Sequence, residues 1–373
     1  RPILRAHRVE RWRGTRGGAR AGRLRTAVAY PLCPVSLRAA VEASEAGYIE
    51  PVLVGPADRM ATLMAQEGIR AGSMEIVDTP DDELAAARAA AALARDGAVR
   101  MLMKGSLHTD HFMSAVVTRE SGLRTGRRIS HAFVMAVAAY PKLLILTDAA
   151  VNIAPTLQEK ADIAQNAIDL ARALGVERPK VAVLCATESV NPAMPATLDA
   201  AALSKMADRQ QIRGGDIDGP LAFDNAISRE AADQKGIVSR VAGDADILLV
   251  PDIEAGNMLY KELTWLAGAA TAGLVLGTRV PVLLTSRSDA VQARVDSCAV
   301  AALYARALAA GARVERNRVE LAPVDAAARS DDWSRLSPKL SLQYQWAPTA
   351  QVYATYSEGY RAGGFNVFSP AMG

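Results

Sequence analysis

Val280-Pro281-Val282-Leu283-Leu284, followed by Thr285-Ser286-Arg287-Ser288-Asp289, is the stretch on which the reading of this chain turns. The first five residues make an apolar run of strand length. The next five carry hydroxyls, a guanidinium and a carboxylate, and the helix-forming segment Ala290–Ala309 comes after them. A buried strand, a polar loop and a helix form the repeating unit of α/β proteins. Ligands of such proteins sit outside the carboxyl ends of parallel strands, where helix N-termini offer backbone N–H groups. An arginine there binds an oxyanion through a rigid fork of donors. The serine donates a hydrogen bond and the aspartate can take up a proton, so the set suits a phosphate-bearing substrate.

Outward from this stretch, short apolar runs alternate with helical segments from Leu24 to about Ala310. Expected strands are Thr26–Tyr30, Pro51–Val54, Met74–Val77, Val99–Met103, Leu143–Thr147, Lys180–Leu184, Ile247–Val250 and Pro281–Leu284. Amphipathic helices are expected between most of them, at Val35–Ala46 and Leu157–Leu174 for example. Such alternation predicts an α/β fold, a mostly parallel sheet covered on both faces. Between Asp78 and Gly97 a helix is marked by Thr79 as a cap, Pro80 at the first position and Asp81, Asp82 and Glu83 against the dipole, with Gly97 closing it. The apolar stretch from Trp265 to Leu284 is interrupted by Arg279, Pro281 and glycines, and reads as a buried helix, loop and strand rather than a membrane span.

The length of 373 residues accommodates two domains with ample core. Half of the residues are hydrophobic but only 5% are aromatic, which fits alanine-rich helices around a sheet. Residues 1–25 hold nine arginines and one acid, so the formal charge of +3 comes from that segment and gives no reason to expect nucleic acid. The segment reads as a disordered basic arm with no apolar signal core, and a cytoplasmic protein is expected. Cys33, Cys185 and Cys298 lie far apart without a CxxC pair, which argues for a reducing compartment and no zinc site.

Residues 331–373 differ in composition. Leu340, Leu342, Tyr344 and Trp346 alternate with polar residues, a turn follows at Ala347–Ala350, and Gln351–Tyr356 makes a second strand. Aromatic residues on a period of two, in an antiparallel hairpin, are the pattern of outer-membrane barrel strands. From Ser337 to Asn366 the sequence resembles a segment of TonB-dependent outer-membrane receptors. The piece is too short to close a barrel, so it is expected to be a foreign, hairpin-like tail.

Other polar clusters fall at expected strand ends. Lys104-Gly105-Ser106 follows one strand, with Thr109 opening the next helix. Gly122-Leu123-Arg124-Thr125-Gly126-Arg127-Arg128 precedes Ser130-His131 and is either an anion site or a set of exposed arginines. His131 heads an apolar run and reads more readily as a packed than as a catalytic histidine. Asp148, Asn152 and Pro155 lie in the loop after Thr147, either lining a cleft or fixing the loop through Asx-turns. Pro251-Asp252-Ile253-Glu254-Ala255-Gly256-Asn257 repeats the theme. Convergence of these loops on one cleft is the expectation. His108 and His111 share a helical face, but no neighbouring carboxylate or cysteine set is visible, so no metal is expected. No dinucleotide fingerprint, Walker loop or nucleophile elbow is present, which leaves a small phosphorylated metabolite or free phosphate.

Together these stretches resemble the phosphate acetyltransferase and phosphate butyryltransferase family, nearest its butyryl-type branch. The resemblance runs from about Thr26 to Leu308 and is carried by Met103-Lys104-Gly105, Gly122–Gly126 with Ser130-His131, Thr147–Thr156, Gly219–Asp224, Pro251–Asn257 and Leu284–Asp289. It implies reversible acyl transfer between coenzyme A and inorganic phosphate, with no metal or redox cofactor. It also implies a two-domain fold like that of isopropylmalate dehydrogenase, forming homodimers with the site in an interdomain cleft. Domain I would comprise 26–149 and 273–310, domain II 150–272, and 311–373 would be linker and tail. In this reading Arg287 holds the phosphoryl group, Ser286 bonds the coenzyme A sulfur or the oxyanion, and Asp289 accepts the thiol proton. The substrate-binding set would be Lys104, Gly105, Thr109, Arg124, Thr125, Ser130, His131, Asp148, Asn152, Pro155, Asp252 and Asn257. The acetyl branch has its catalytic carboxylate where this chain has Ala293, so Asp296 is the second candidate base. The competing readings are an acyl-CoA binder without activity, a decarboxylating dehydrogenase of the same fold and, from the tail, an outer-membrane receptor.

Overall fold

The computed structural model describes residues 22–69, 74–285, 289–320, 342–347 and 350–354, those beyond 310 by their backbone alone. The chain divides into two compact units, with the boundary between Arg306 and Ala307.

The first unit is built on one eleven-stranded sheet. Its first half interleaves β1 (Leu24–Ala29), α1 (Pro34–Glu45), β2 (Ile49–Gly55), α2 (Ala57–Gln66), β3 (Glu75–Asp78), α3 (Glu83–Arg95), β4 (Met101–Lys104) and α4 (Thr109–Val117). Next come β5 (Ser130–Ala136), β6 (Leu144–Thr147), α5 (Leu157–Ala173), β7 (Lys180–Leu184), α6 (Pro195–Asp208) and β8 (Asp216–Leu221). Two short helices, α7 (Phe223–Ile227) and α8 (Arg229–Gln234), lead to β9 (Ile247–Leu249) and α9 (Ile253–Trp265). The series ends with β10 (Ala270–Leu276), β11 (Val282–Leu283) and α10 (Val291–Glu320).

In space the strands run β3-β2-β1-β4-β11-β10-β5-β6-β9-β7-β8. The expected parallel pairing holds on both sides, and the antiparallel pairs fall together at β11–β10, β10–β5 and β5–β6. Strands of the interior read as near-continuous apolar runs because helices cover both faces.

Several expectations are corrected. Strand β1 starts at Leu24, which pairs with Ile49, so the basic arm cannot extend to residue 25. Helix α3 starts later than Thr79 and Pro80 suggest, because Asp82 is the cap, its Oδ1 accepting from Ala85 N–H at 2.6 Å. Gly97 does close that helix, at φ +76°. The stretch after Trp265 is not helix, loop and strand but two strands, β10 and β11. Strands β5 and β8 were also unforeseen. Asp216–Leu221 carries Gly219 and Pro220 and reads as a turn, and it is tolerated as a strand because β8 is at the sheet edge.

Among the described residues, apolar clusters pack against the sheet, two of which bear on the site. One gathers Ala27, Val54, Leu102, Phe112 and Val282 with the alanine stripe Ala86, Ala87, Ala90, Ala91 and Ala94 of α3. Spacing of one, three and four places those alanines on one helix face, and their small side chains let the helix lie close to the strands. The other gathers Phe133, Met135, Leu144, Leu146, Leu248 and Tyr260, with Phe133 stacked on Tyr260 at a centroid distance of 3.7 Å.

The second unit contains an antiparallel pair, β12 (Leu342–Ala347) and β13 (Ala350–Ala354), in the register Tyr344↔Val352, with an irregularity between Gln345 and Ala347. The hairpin read from the alternation is present. Helix α10 extends to Glu320, past the helix end expected at Ala309.

Candidate active site

Strand polarity sorts the candidate residues. Three successive antiparallel pairings separate β11 from β6. The carboxyl ends of β4 and β11 therefore lie on one edge of the sheet and those of β6 and β9 on the other. Convergence of strand ends holds for Lys104, Gly105, Thr285 and Asp289. It does not hold for the loops of Asp148 to Pro155 and of Asp252 to Asn257, which leave from the opposite edge. The sequence could not show this, because β5 and β10, the strands that reverse the polarity, carry no turn signals that mark them.

On the first edge, β1 and β4 are parallel neighbours and their exit loops are stitched together. Gly105 N–H donates to Ala29 O at 2.9 Å and Ser106 N–H to Tyr30 O at 2.9 Å. The Ser106 hydroxyl donates to the same carbonyl at 2.8 Å and accepts from Leu32 N–H at 3.1 Å. Tyr30 sits at φ +50°, a left-handed conformation unusual for a non-glycine residue. Its hydroxyl donates to Asp81 Oδ1 at 2.7 Å, and Arg59 Nη1 donates to the same oxygen at 2.6 Å.

A Cβ on Gly105 would meet Ala29 O at 2.3 Å and Tyr30 O at 2.6 Å. Both are backbone atoms, one of the last residue of β1 and one of the residue after it, and cannot turn aside as a side chain would. Gly105→Ala is therefore expected to destabilise the fold by about 1–3 kcal/mol or more, read as a lower thermal midpoint. Gly126→Ala is the control: nothing lies within 4 Å of its Cβ, and the midpoint should stay put.

Lys104 ends β4 with its side chain 1% exposed, and Thr109 opens α4 at the surface. Thr285 is buried after β11, and Asp289 is half-buried before α10. Ser286 and Arg287 lie outside the described residues. Beneath this edge lies Arg294, also 1% exposed, whose Nη1 donates to Lys104 O at 3.4 Å. Burial lowers the pKa of its guanidinium, against the pull of Cys33, Asp289 and Cys298 nearby. A buried arginine raises the local positive potential at the end of β4 and near Asp289. Sequence reading missed it, although an arginine among the apolar residues of α10 was the available signal. Asp296 is 1% exposed and accepts from Gln292 Nε2 at 2.9 Å, so of the two candidate bases Asp289 is the one reachable from solvent.

On the second edge most candidates hold structure. Asp148 is 2% exposed, and its carboxylate accepts from the N–H groups of Ala150 and Val151 at 3.0 Å and of Asn152 at 3.2 Å, and from the Asn152 side chain. That is the loop-fixing alternative. Asn152 receives Arg128 Nε on its Oδ1 at 2.6 Å and donates to Ile129 O at 2.9 Å. Asp252 caps α9 through Ala255 N–H, Asn257 donates to Ala149 O at 3.2 Å, and Pro155 is buried. Ser130 accepts from Asn166 Nδ2 at 3.0 Å, and Thr125 donates to Gly277 O at 2.7 Å. Arg124 is exposed, whereas Arg127 and Arg128 pair with Asp169 and Glu159 of α5.

His131 is 1% exposed, tilted against Phe133 and 3.4 Å from Leu284 O through Nε2. It is packed in the interior, in line with the packed reading of the sequence. Burial lowers its pKa below 6.5, only partly offset by Asp148. The unfolded state then binds the proton more readily, so this group's contribution to stability is present above about pH 6.5 and is lost as pH falls through the folded value. His131→Gln should flatten that acid-side loss in chemical denaturation measured across pH; an unchanged slope would reject it.

Residues 83–302 match the family described as Phosphate acetyl/butaryl transferase. The chain belongs to this family. Its similarity to a phosphate acetyltransferase of Rhizobium meliloti is 56% identity over 280 residues, covering 75% of this chain and 88% of the relative. A phosphate butyryltransferase of Clostridium acetobutylicum is 45% identical over 269 residues, covering 72% and 89%. The lean toward the butyryl branch is thus not reflected in these identities. The fold is that of a branched-chain phosphotransacylase from Enterococcus faecalis V583, with TM-score 0.68, 32% identity and coverage of 76% of this chain and 99% of that one. Residues 304–371 match a second family, described as TonB dependent receptor-like, beta-barrel, in line with the resemblance read from the tail. No helix among the described residues is long and apolar enough to cross a membrane.

Proposed function

We propose that this chain, a phosphate acetyl/butyryltransferase by family, works at the edge where β4 and β11 end side by side. The reaction moves an acyl group between coenzyme A and inorganic phosphate. The observation that carries the placement is the parallel β4–β11 pair, which sets the carboxyl ends of the two strands side by side, with Lys104 and Gly105 at the end of one and Leu284 and Thr285 at the end of the other.

In the direction of acyl-CoA synthesis, Asp289 takes the thiol proton and the sulfur attacks the acyl-phosphate carbonyl. Ser286 donates to the developing oxyanion or the sulfur. Collapse of the tetrahedral species breaks the carbonyl carbon–oxygen bond to phosphate, and Arg287 holds the departing dianion. A free thiol has a pKa of about 8.5 and reacts as thiolate, so a base is needed near neutral pH. A two-lobed body of the isopropylmalate dehydrogenase-like kind, with lobes of 26–149 plus 273–310 and of 150–272, is part of this proposal. Its acting as a cytoplasmic homodimer without metal or redox cofactor belongs to the same proposal.

The test is thiol release from acetyl-, propionyl- and butyryl-CoA with and without phosphate. Phosphate-dependent release supports the reading. Phosphate-independent release, or binding of acyl-CoA without turnover, rejects it.

A further inference from the structure

Glu83, His108 and His111 come together where the loop after β4 enters α4, outside the set of residues assigned to the acyl-transfer site. Glu83 is the first residue of α3, His108 caps α4, and His111 lies in the first turn of α4. Glu83 Oε2 is 2.9 Å from Nδ1 of each imidazole, and Oε1 is 3.2 Å from that of His108. The three donor atoms lie within 4.8 Å of one another. The histidine side chains are 57% and 47% exposed, so the open side of the cluster faces solvent. The carboxylate is itself oriented, since His108 N–H donates to Oε2 at 2.8 Å.

From the sequence the histidine pair lacked a carboxylate. The fold supplies one from 25 residues earlier, because α3 and α4 start near each other on the same side of the sheet. We propose that Glu83, His108 and His111 form a surface site for a borderline divalent transition ion of the zinc class, with the remaining coordination positions filled by water. Two imidazoles and one carboxylate are a zinc-type donor set, and imidazole disfavours magnesium and calcium. Bond lengths of about 2.0–2.2 Å in tetrahedral geometry require donors about 3.4 Å apart. Each Nδ1, now 2.9 Å from Glu83 Oε2, reaches that spacing from the carboxylate by moving outward by roughly half an ångström. Each imidazole then presents its Nδ1 lone pair to the ion and carries its proton on the solvent-facing Nε2. The bound ion would tie the first turn of α4, and with it the loop from Gly105 to His108, to the first turn of α3.

The experiment is a titration of the full chain, prepared without a histidine tag, with Zn2+ and Co2+ by calorimetry and absorption. One equivalent should bind, Mg2+ should not compete, and Zn2+ should raise the thermal midpoint. The double variant His108→Gln/His111→Gln should bind at least about tenfold more weakly and lose the midpoint shift. Glu83→Gln should weaken binding in the same sense, and His7→Gln should leave it unchanged. Because His108 and His111 are exposed, the metal-free midpoint of the double variant should match the parent. Absence of stoichiometric binding, or binding that survives the double variant and follows Cys33→Ser or Cys185→Ser instead, overturns the site.

Discussion

Asp289→Asn is expected to lower kcat by about 100- to 10,000-fold, the range over which a positioned base usually acts. The amide keeps the size and one acceptor of the carboxylate but cannot take the thiol proton. Folding should be preserved, because Asp289 is half-buried at the start of α10 and not part of either core. Asp296→Asn provides the comparison. That carboxylate is 1% exposed and bonded by Gln292, so its substitution should lower the thermal midpoint more than it lowers kcat in the remaining folded protein. A reversed pattern in steady-state rates and melting curves would transfer the base to Asp296.

Arg287→Gln is expected to raise the phosphate KM by about 10- to 100-fold while the acyl-CoA KM moves little. A hydrogen bond to a charged group contributes about 1.5–3 kcal/mol, and the guanidinium makes a forked pair of them with a phosphate dianion. Glutamine offers one neutral donor in place of that fork. The split between the two constants is the informative readout, since misfolding would shift both. An unchanged phosphate KM removes Arg287 from the phosphate site and leaves Lys104 as the residue of that edge to examine next.

Much of the fold was legible because hydrophobic periodicity is a local property. The parallel strands around β1 and the helices between them follow from apolar runs of strand length separated by amphipathic stretches, with signals such as Gly97 closing α3. The strands that escaped notice had local reasons. Ala270–Leu276 is small and apolar, Ser130–Ala136 merges with its flanks, and Asp216–Leu221 carries turn residues that only an edge position permits.

The site was legible in part. Residue types and spacing marked the segments after β4 and β11, and topology makes the ends of those two strands neighbours. The same reasoning marked Asp148, Asn152 and Asp252, whose side chains are occupied by backbone N–H groups and the Arg128 guanidinium. A polar side chain at a strand end has the same local signature whether it faces a ligand or caps its own loop. Arg294 illustrates the converse: buried and central, it gave no loop signal at all.

By itself, then, the sequence determined eight of the eleven strands of the main sheet with the helices between them, the strand pair of the tail and the family to which the main body belongs, because short-range periodicity and ordered motifs encode them. Only the tertiary structure decided which motifs share an edge of the sheet. Strand direction is set by pairing between segments far apart in the chain: the register of β10 between β11 and β5 turns one group of loops away from the other. The same long-range packing brings Glu83 to His108 and His111, a contact that no window of sequence contains.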